Sequence, residues 1–304
     1  MKAKIDEDKI FSLTDYIIQS VNQGNKLKLA YNLEQEDSPS NVKFWIPSGC
    51  SVLDVVLANE VWPQVRGGFP TGRIILLAGA EGSGKSLIAA HALANVQKMG
   101  GVAALIDSEN AISKEFLKVI GIDINKLIYI QTQSLEKVFV SIQKICNSIL
   151  EKRATNIPVM IVLDSLTSTS IEESLIGHKT GSPEEATIGY EGARNAIFIS
   201  QELKKMVEKT GAENVCLLIT SQLRQKMGAM PNEDPYNSTG GFAPKFYSSI
   251  IIRLKYKGMK RVSTQKDPIG VKIEALVEKN RLAPPRRKIQ FSVRFDTGID
   301  DIGS

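Results

Sequence analysis

The sequence predicts an α/β protein: a mainly parallel central sheet flanked by helices, antiparallel strands added at its C-terminal edge, and a separate N-terminal helix. Three observations predict it. From residue 73, apolar strand patterns alternate with helical patterns, which implies parallel strands joined by covering helices. The first of these strands runs into G-x-x-x-x-G-K-[ST], and a helical pattern follows it. After residue 245 the alternation stops, and strand patterns follow one another closely.

In chain order, Ile10, Leu13, Ile17 and Val21 fall at helical spacing, with Phe11 and Ile18 beside them, so residues 6–23 read as an amphipathic helix. The polar run from Asn32 to Asn41 reads as a linker. Residues 1–45 therefore form an N-terminal helix and linker, and residues 46–304 the core. The helix either folds back on its own core or docks on a neighbouring subunit. Strands are expected at 74–78, 102–106, 127–130, 159–163 and 215–220, and helices at 86–99, 114–120, 135–152 and 191–209. The C-terminal strands are expected at 250–256, 270–278 and 288–295.

The chain of 304 residues carries a net charge of +5. Between Arg253 and Lys288 there are twelve Lys/Arg against three Asp/Glu, either a solvated face or an electrostatic footprint for nucleic acid. Cys50, Cys146 and Cys216 show no pair spacing, and Cys146 and Cys216 lie in apolar runs as small core residues. With two histidines, His91 and His178, a zinc site is excluded. The first residues lack the apolar core of a signal peptide, and no apolar run is long enough for a membrane span, which points to a cytoplasmic protein.

Gly79, Ala80, Glu81, Gly82, Ser83, Gly84, Lys85 and Ser86 complete the G-x-x-x-x-G-K-[ST] pattern, with Leu87 continuing into the helix. Glycines at these positions let successive backbone N–H groups turn inward around phosphate oxygens, and the helix N-terminus adds a favourable dipole. Lys85 is placed to reach the β- and γ-phosphates and Ser86 to ligate magnesium. Asp164 ends an apolar strand and is the second candidate for holding the ion, because ligands of parallel sheets sit beyond the strands' carboxyl ends. A base for the attacking water could be Asp107, Glu109 or, more weakly, Glu81. The stretch LITSQLRQKMGAMPNEDPYNSTGGFAPKFY, residues 218–247, starts as a buried strand and then loses hydrophobic order, a length of irregular chain that is usually functional or disordered.

Together these residues resemble the RecA recombinase family, with phage UvsX-type members the nearest likeness, over residues 46–299. The likeness begins at IPSGCSVLD, residues 46–54, and continues through Gly68, Gly72 and Arg73 into the phosphate loop. It implies a RecA-like ATPase core. Asp107, Ser108 and Glu109 are similar to the family's D-[SA]-E segment, whose glutamate is the catalytic base, which selects Glu109. Thr220, Ser221 and Gln222 resemble the segment whose polar residue senses the γ-phosphate and relays it to a DNA-binding loop, expected here at 224–241. Arg224, Lys226 and Gly228 match that loop's start, and Gly240 and Gly241 its end; Met227 and Met230 lie within it and could wedge between bases. Lys279 and Arg281, in VEKNR, correspond to cations that reach the ATP of the adjacent subunit. A first DNA-binding loop is expected at 176–192, and the segment Gly189 to Arg194 resembles a family motif that makes Arg194 a DNA contact.

The chain departs from the bacterial pattern in places. Ser113 stands where an aspartate reads adenine, and Phe116 replaces a tyrosine that stacks on the base, so that Phe116 is expected to stack there in its place. Phe242 follows Gly241 in place of asparagine, and the chain stops at residues 301–304 before the family's long acidic tail, as expected either of a shortened chain or of a protein without the C-terminal domain. The resemblance implies an ATP- and magnesium-dependent recombinase that binds single- and double-stranded DNA, assembles as a helical filament and is loaded by a mediator protein. The alternatives are a ring-forming helicase or motor on the same core, and a DNA-binding scaffold that uses ATP only to assemble. The motor would share Lys85, Asp164 and Glu109 but lack the Gln222 loop and the Lys279–Arg281 element.

Overall fold

The computed structural model describes residues 7–24, 29–33, 41–58, 67–154, 156–172, 186–225, 236–238, 241–261 and 267–301. The chain divides into two compact units, Met1–Asn41 and Val42–Ser304. In the first, helix α1 (Glu7–Asn22) carries Leu13, Tyr16, Ile17 and Val21 exposed. The Asn22 side chain closes the turn after it, accepting from the N–H groups of Leu29 (2.7 Å) and Ala30 (2.9 Å).

The second unit is a sheet between two helical layers. Its strands are β3 (Ile74–Gly79), β4 (Val102–Asp107), β5 (Leu127–Gln131), β6 (Val159–Asp164), β7 (Val215–Gln225), β9 (Ile250–Lys260), β10 (Gly270–Asn280), β11 (Arg287–Arg294) and β12 (Gly298–Asp300). They lie in the order β12-β11-β10-β9-β3-β7-β6-β4-β5, and β8 (Tyr236–Ser238) pairs with the end of β7. A separate pair, β1 (Trp45–Ile46) and β2 (Phe69–Pro70), precedes β3.

Strand periodicity explains why both faces are apolar. Successive side chains point to opposite faces. Ile75, Leu77, Ala103, Leu105, Met160, Val162, Cys216 and Leu218 meet one layer, made by α2 (Ser51–Leu57), α3 (Lys85–Lys98) and α4 (Lys114–Ile120). Their sequence neighbours Ile74, Leu76, Ala104, Ile106, Ile161, Leu163 and Leu217 meet the other, made by α5 (Leu135–Glu151) and α6 (Ala186–Glu213). Cys50, Cys146 and Cys216 are buried free thiols in these layers. Burial pushes the Cys50 thiol up to about 11, which keeps it protonated and inert.

As expected, the closely spaced C-terminal strands are antiparallel hairpins that extend one sheet edge: β9 pairs with β10, β10 with β11 and β11 with β12, all antiparallel, and β9 joins them to the sheet by pairing parallel with β3. β9 is apolar on both faces along Ile250–Ile252 and is buried beside β3. Two expectations need correction. The first expected loop, 176–192, is helical from Ala186 onward, so the Gly189 to Arg194 motif lies on α6. The second, 224–241, is not irregular at its ends: β7 runs on to Gln225, and Leu223, Arg224 and Gln225 pair with Ser238, Asn237 and Tyr236 of β8.

His91 ties the sheet's far edge to α3. Its Nε2 accepts the Ile299 N–H at 3.1 Å, so the ring must be neutral with its proton on Nδ1. Burial holds its pKa down at about 4, against 6.5 for the free group. The unfolded chain therefore takes up a proton below about pH 6.5 that the folded chain refuses, and this contribution to stability is lost as pH falls toward 4. Asp54 works the other way: burial raises its carboxyl to about 6, so the folded chain takes up a proton first as pH falls below that value. Thermal melts between pH 7 and pH 4 are expected to fall less steeply in His91→Gln than in the wild type; equal slopes would contradict the assignment.

Candidate nucleotide-binding and catalytic site

Parallel register gathers the site. Gly79 at the end of β3 is level with Gln222 of β7, and Asp107 at the end of β4 is level with Asp164 of β6. Four strands thus deliver their chemistry to one carboxyl edge of the sheet, where a cleft of about 450 Å³ opens. It is lined by Glu81, Gly82, Lys85, Ser86, Ser108, Glu109, Gln133, Asp164, Ser168 and Gln222.

The loop between β3 and α3 is shaped by its glycines. A Cβ on Gly79 would collide with Ser83 Oγ and stand 2.9 Å from the Leu254 carbonyl oxygen. Gly84, at the N-terminus of α3, has φ +90°, which L side chains rarely adopt. Ala80, Glu81 and Gly82 are exposed at the mouth, Ser83 is buried, and Leu87 packs on the core. The Lys85 ammonium donates to the Gly79 (3.1 Å) and Ala80 (2.9 Å) carbonyls, curled over the loop it belongs to. Burial lowers its pKa, and Asp164, Glu109 and Glu81 oppose that shift.

Asp164 is buried. Its Oδ1 accepts from Thr220 Oγ1 at 2.6 Å, and its carboxylate also takes a hydrogen bond from Ser86. Burial raises its pKa, the two hydroxyls oppose the rise, and the nearby Glu109 and Asp107 charges add to it. A buried carboxylate beside a serine hydroxyl at a phosphate loop suits magnesium, which takes few protein ligands and completes its shell with phosphate oxygens and water. No cluster of three or more His, Cys, Asp or Glu that could hold a metal by itself occurs among the described residues.

The structure separates the three candidate bases. Asp107 is spent on architecture: its Oδ1 accepts from the N–H groups of Glu109 (3.0 Å) and Asn110 (2.8 Å), and its Oδ2 from the Tyr129 hydroxyl (3.0 Å). Glu109 faces the cleft, with Oε1 taking the hydroxyls of Ser165 (2.5 Å) and Ser168 (3.0 Å). Glu81 lines the cleft from the exposed mouth of the loop. Gln222 also faces the cleft, and its own N–H is held by Thr167 Oγ1 at 2.8 Å.

Other expected residues lie elsewhere. Phe116 is half-buried against the core and does not line the cleft. Ser113 is the N-cap of α4 and accepts the Phe116 N–H at 3.1 Å, a structural role that a short hydroxyl fills well. Lys279 Nζ donates to the carbonyls of Lys245 (2.9 Å) and Phe246 (3.0 Å), at the end of α7 (Ala243–Tyr247), and an Arg281 nitrogen reaches Phe246 O at 3.4 Å. Both cations are thus away from their own chain's cleft. Arg194 is half-buried on α6, beside Glu136, Ile171 and Gln201. Gly241 takes a turn with φ +67°. Lys226, Met227, Gly228, Met230 and Gly240 lie outside the described residues, as does the Arg224 side chain.

Sequence reasoning missed the hydroxyls of Ser165, Thr167 and Ser168, and the bond from Thr220 to Asp164, since each acts across strands that only the fold brings together.

The family model for the RecA N-terminal domain matches residues 26–300. The RecA protein of Treponema denticola is 33% identical over 302 residues, covering 98% of this chain and 66% of its own length. That of Gloeobacter violaceus is 33% identical over 85% of this chain and 63% of its own, and that of Chlamydia trachomatis serovar L2 37% over 85% and 66%. The chain spans about two thirds of the length of these relatives. A match across nearly the whole chain, agreeing with the phosphate loop, the acidic strand ends and the glutamine strand, places it by descent as well as by shape: the chain belongs to the RecA family.

Proposed function

We propose that the protein is an ATP-dependent recombinase that forms helical filaments on single-stranded DNA and pairs it with homologous duplex DNA. The observation that carries this reading is the convergence of Lys85, Ser86, Asp164, Glu109 and Gln222 on one cleft in a chain of the RecA family. The phosphate loop binds the triphosphate, Lys85 leaving its own carbonyls for the β- and γ-phosphates. Ser86 and Asp164 hold magnesium, which when bound neutralises phosphate charge. Glu109 takes a proton from water as the water oxygen attacks the γ-phosphorus; the bond to the bridging oxygen breaks, and ADP and phosphate leave.

Subunits assemble head to tail, a heterologous contact that yields an open helix. The exposed apolar stripe of α1 docks on the adjacent core. Lys279 and Arg281, which stand outside their own cleft, supply positive charge to the neighbour's γ-phosphate. Arg194, Arg224 and Lys226 contact DNA phosphates, Met227 and Met230 wedge between bases, and Gly228, Gly240 and Gly241 give the second loop its freedom. Binding is salt-sensitive because phosphate contacts release counterions. The filament works in the cytoplasm, with a mediator protein to load it.

Gln222 couples the two ligands. It lines the nucleotide cleft, and the strand that carries it runs on to Gln225 and into the expected DNA loop. Gln222→Ala is expected to lower the ratio of DNA-stimulated to basal ATP hydrolysis by about tenfold, the loss of one hydrogen bond to a charged group. An unchanged ratio would remove Gln222 from the coupling. Electron microscopy with ATP and single-stranded DNA tests the assembly: filaments are expected, and closed rings would favour a motor.

A further inference from the structure

The turn after β6, Leu166–Ser168, touches both the base and the sensor strand. Ser168 Oγ donates to Glu109 Oε1 at 3.0 Å, beside the bond from Ser165 Oγ at 2.5 Å. One residue earlier, Thr167 Oγ1 accepts the Gln222 N–H at 2.8 Å. Adjacent side chains on one short turn therefore hold the candidate base at the end of β4 and the candidate sensor on β7. These two strands are not neighbours, because β6 lies between them.

The turn is itself firmly anchored. The Ser165 N–H donates to Ser108 Oγ at 2.9 Å, Ser108 Oγ donates to the Ser165 carbonyl at 2.7 Å, and Thr169 Oγ1 closes back on Leu166 O at 2.8 Å. Beyond it, the Ser170 N–H reaches Gln133 O, the Ile171 N–H reaches Asn195 on α6, and the Glu172 N–H reaches Glu136. The chain then enters the segment expected to hold the first DNA-binding loop.

We infer that Thr167 and Ser168 are positioning residues that lock Glu109 and Gln222 into one mutual placement, so that a shift in the chain leaving this turn reaches the hydrolytic water and the sensor together. The inference rests on the reading of Glu109 as the base and Gln222 as the sensor. Both hydroxyls on Glu109 converge on Oε1 and hold the carboxylate in one orientation where it lines the cleft. A carboxylate fixed in this way is held ready for the water it is read to activate, and positioning of this kind is lost steeply when the support is removed.

Steady-state ATP hydrolysis by the full chain, with and without single-stranded DNA, tests this. Ser168→Ala is expected to lower kcat about tenfold, one charge-assisted hydrogen bond, with KM for ATP unchanged. Ser168→Thr, which keeps the hydroxyl, is expected to recover most of kcat. Thr167→Val, nearly the same shape without the acceptor, is expected to lower the DNA-stimulated to basal ratio, and Thr167→Ser to restore it. The double variant Ser168→Ala with Thr167→Val is expected to lose less than the product of the two single losses, since both act on one turn. A wild-type or raised kcat in Ser168→Ala, a change confined to KM, or an equal loss in Ser168→Thr would overturn the inference. Glu109→Gln measured in the same series separates the levels. If it is inactive while Ser168→Ala is wild type, the inference alone fails; if it is active, the reading of the base fails and the inference with it.

Discussion

Lys85→Ala is expected to reduce ATP hydrolysis by at least about a thousandfold, the upper range for removing one preorganised electrostatic donor at a reacting centre. The ammonium is the positive charge at the mouth of a cleft into which Asp164, Glu109 and Glu81 all project. A triphosphate brings further negative charge to the same place. Without Lys85 those charges face each other with the loop's N–H groups and, in the proposed assembly, magnesium and the neighbour's Lys279 and Arg281 left to offset them. The fold is expected to hold, because among the described residues the Lys85 ammonium donates to the Gly79 and Ala80 carbonyls at the loop, and the Ala80 contact is exposed to water. The check is a turnover assay beside a circular-dichroism melt. Near-normal turnover in a folded variant would remove the phosphate-loop assignment.

Glu109→Gln separates binding from chemistry. The amide has the carboxylate's shape, and its oxygen can still accept from Ser165 and Ser168, so nucleotide and DNA binding are expected to survive. It cannot take a proton from water, and hydrolysis is expected to fall by about 10²- to 10⁴-fold, the usual contribution of a general base. Nucleotide affinity and single-turnover hydrolysis, measured together, decide it. A fully active variant would return the role to Asp107 or Glu81. Asp107 is the harder substitute, since two backbone N–H groups and the Tyr129 hydroxyl already occupy its oxygens.

The legible and illegible parts of the molecule differ for a physical reason. The phosphate loop could be read because its function sets backbone geometry, and only glycine meets the crowding at Gly79 and the positive φ at Gly84. Asp164 and Glu109 could be read because an apolar strand ending in an acid marks the carboxyl edge of a parallel sheet. Spacing alone does not separate Glu109 from Asp107, and only the family resemblance selects Glu109; the physical difference, that the amides after β4 occupy the Asp107 carboxylate, shows only in the fold. The antiparallel hairpins of β9, β10 and β11 could be read from their close spacing, whereas the parallel pairing of β9 with β3 could not, because an apolar strand followed by hairpins looks the same in sequence whether its first neighbour is parallel or not. The start of α6 at Ala186 and the pairing of β7 with β8 were missed where polar, glycine-containing sequence hides regular structure that tertiary contacts support. The hydroxyl network around Glu109 was invisible for a similar reason, since Ser108, Ser165 and Ser168 meet only when β4 and β6 pair.

The measurement that bears most directly on the proposed recombinase is joint-molecule formation between single-stranded DNA and a homologous duplex, with ATP and magnesium, in wild type and Lys85→Ala. Joint molecules that require ATP, homology and Lys85 are the expected result. Vigorous DNA-stimulated ATP hydrolysis without any joint molecules, under conditions where the protein is folded and bound to single-stranded DNA, would contradict it and favour a motor on the same core.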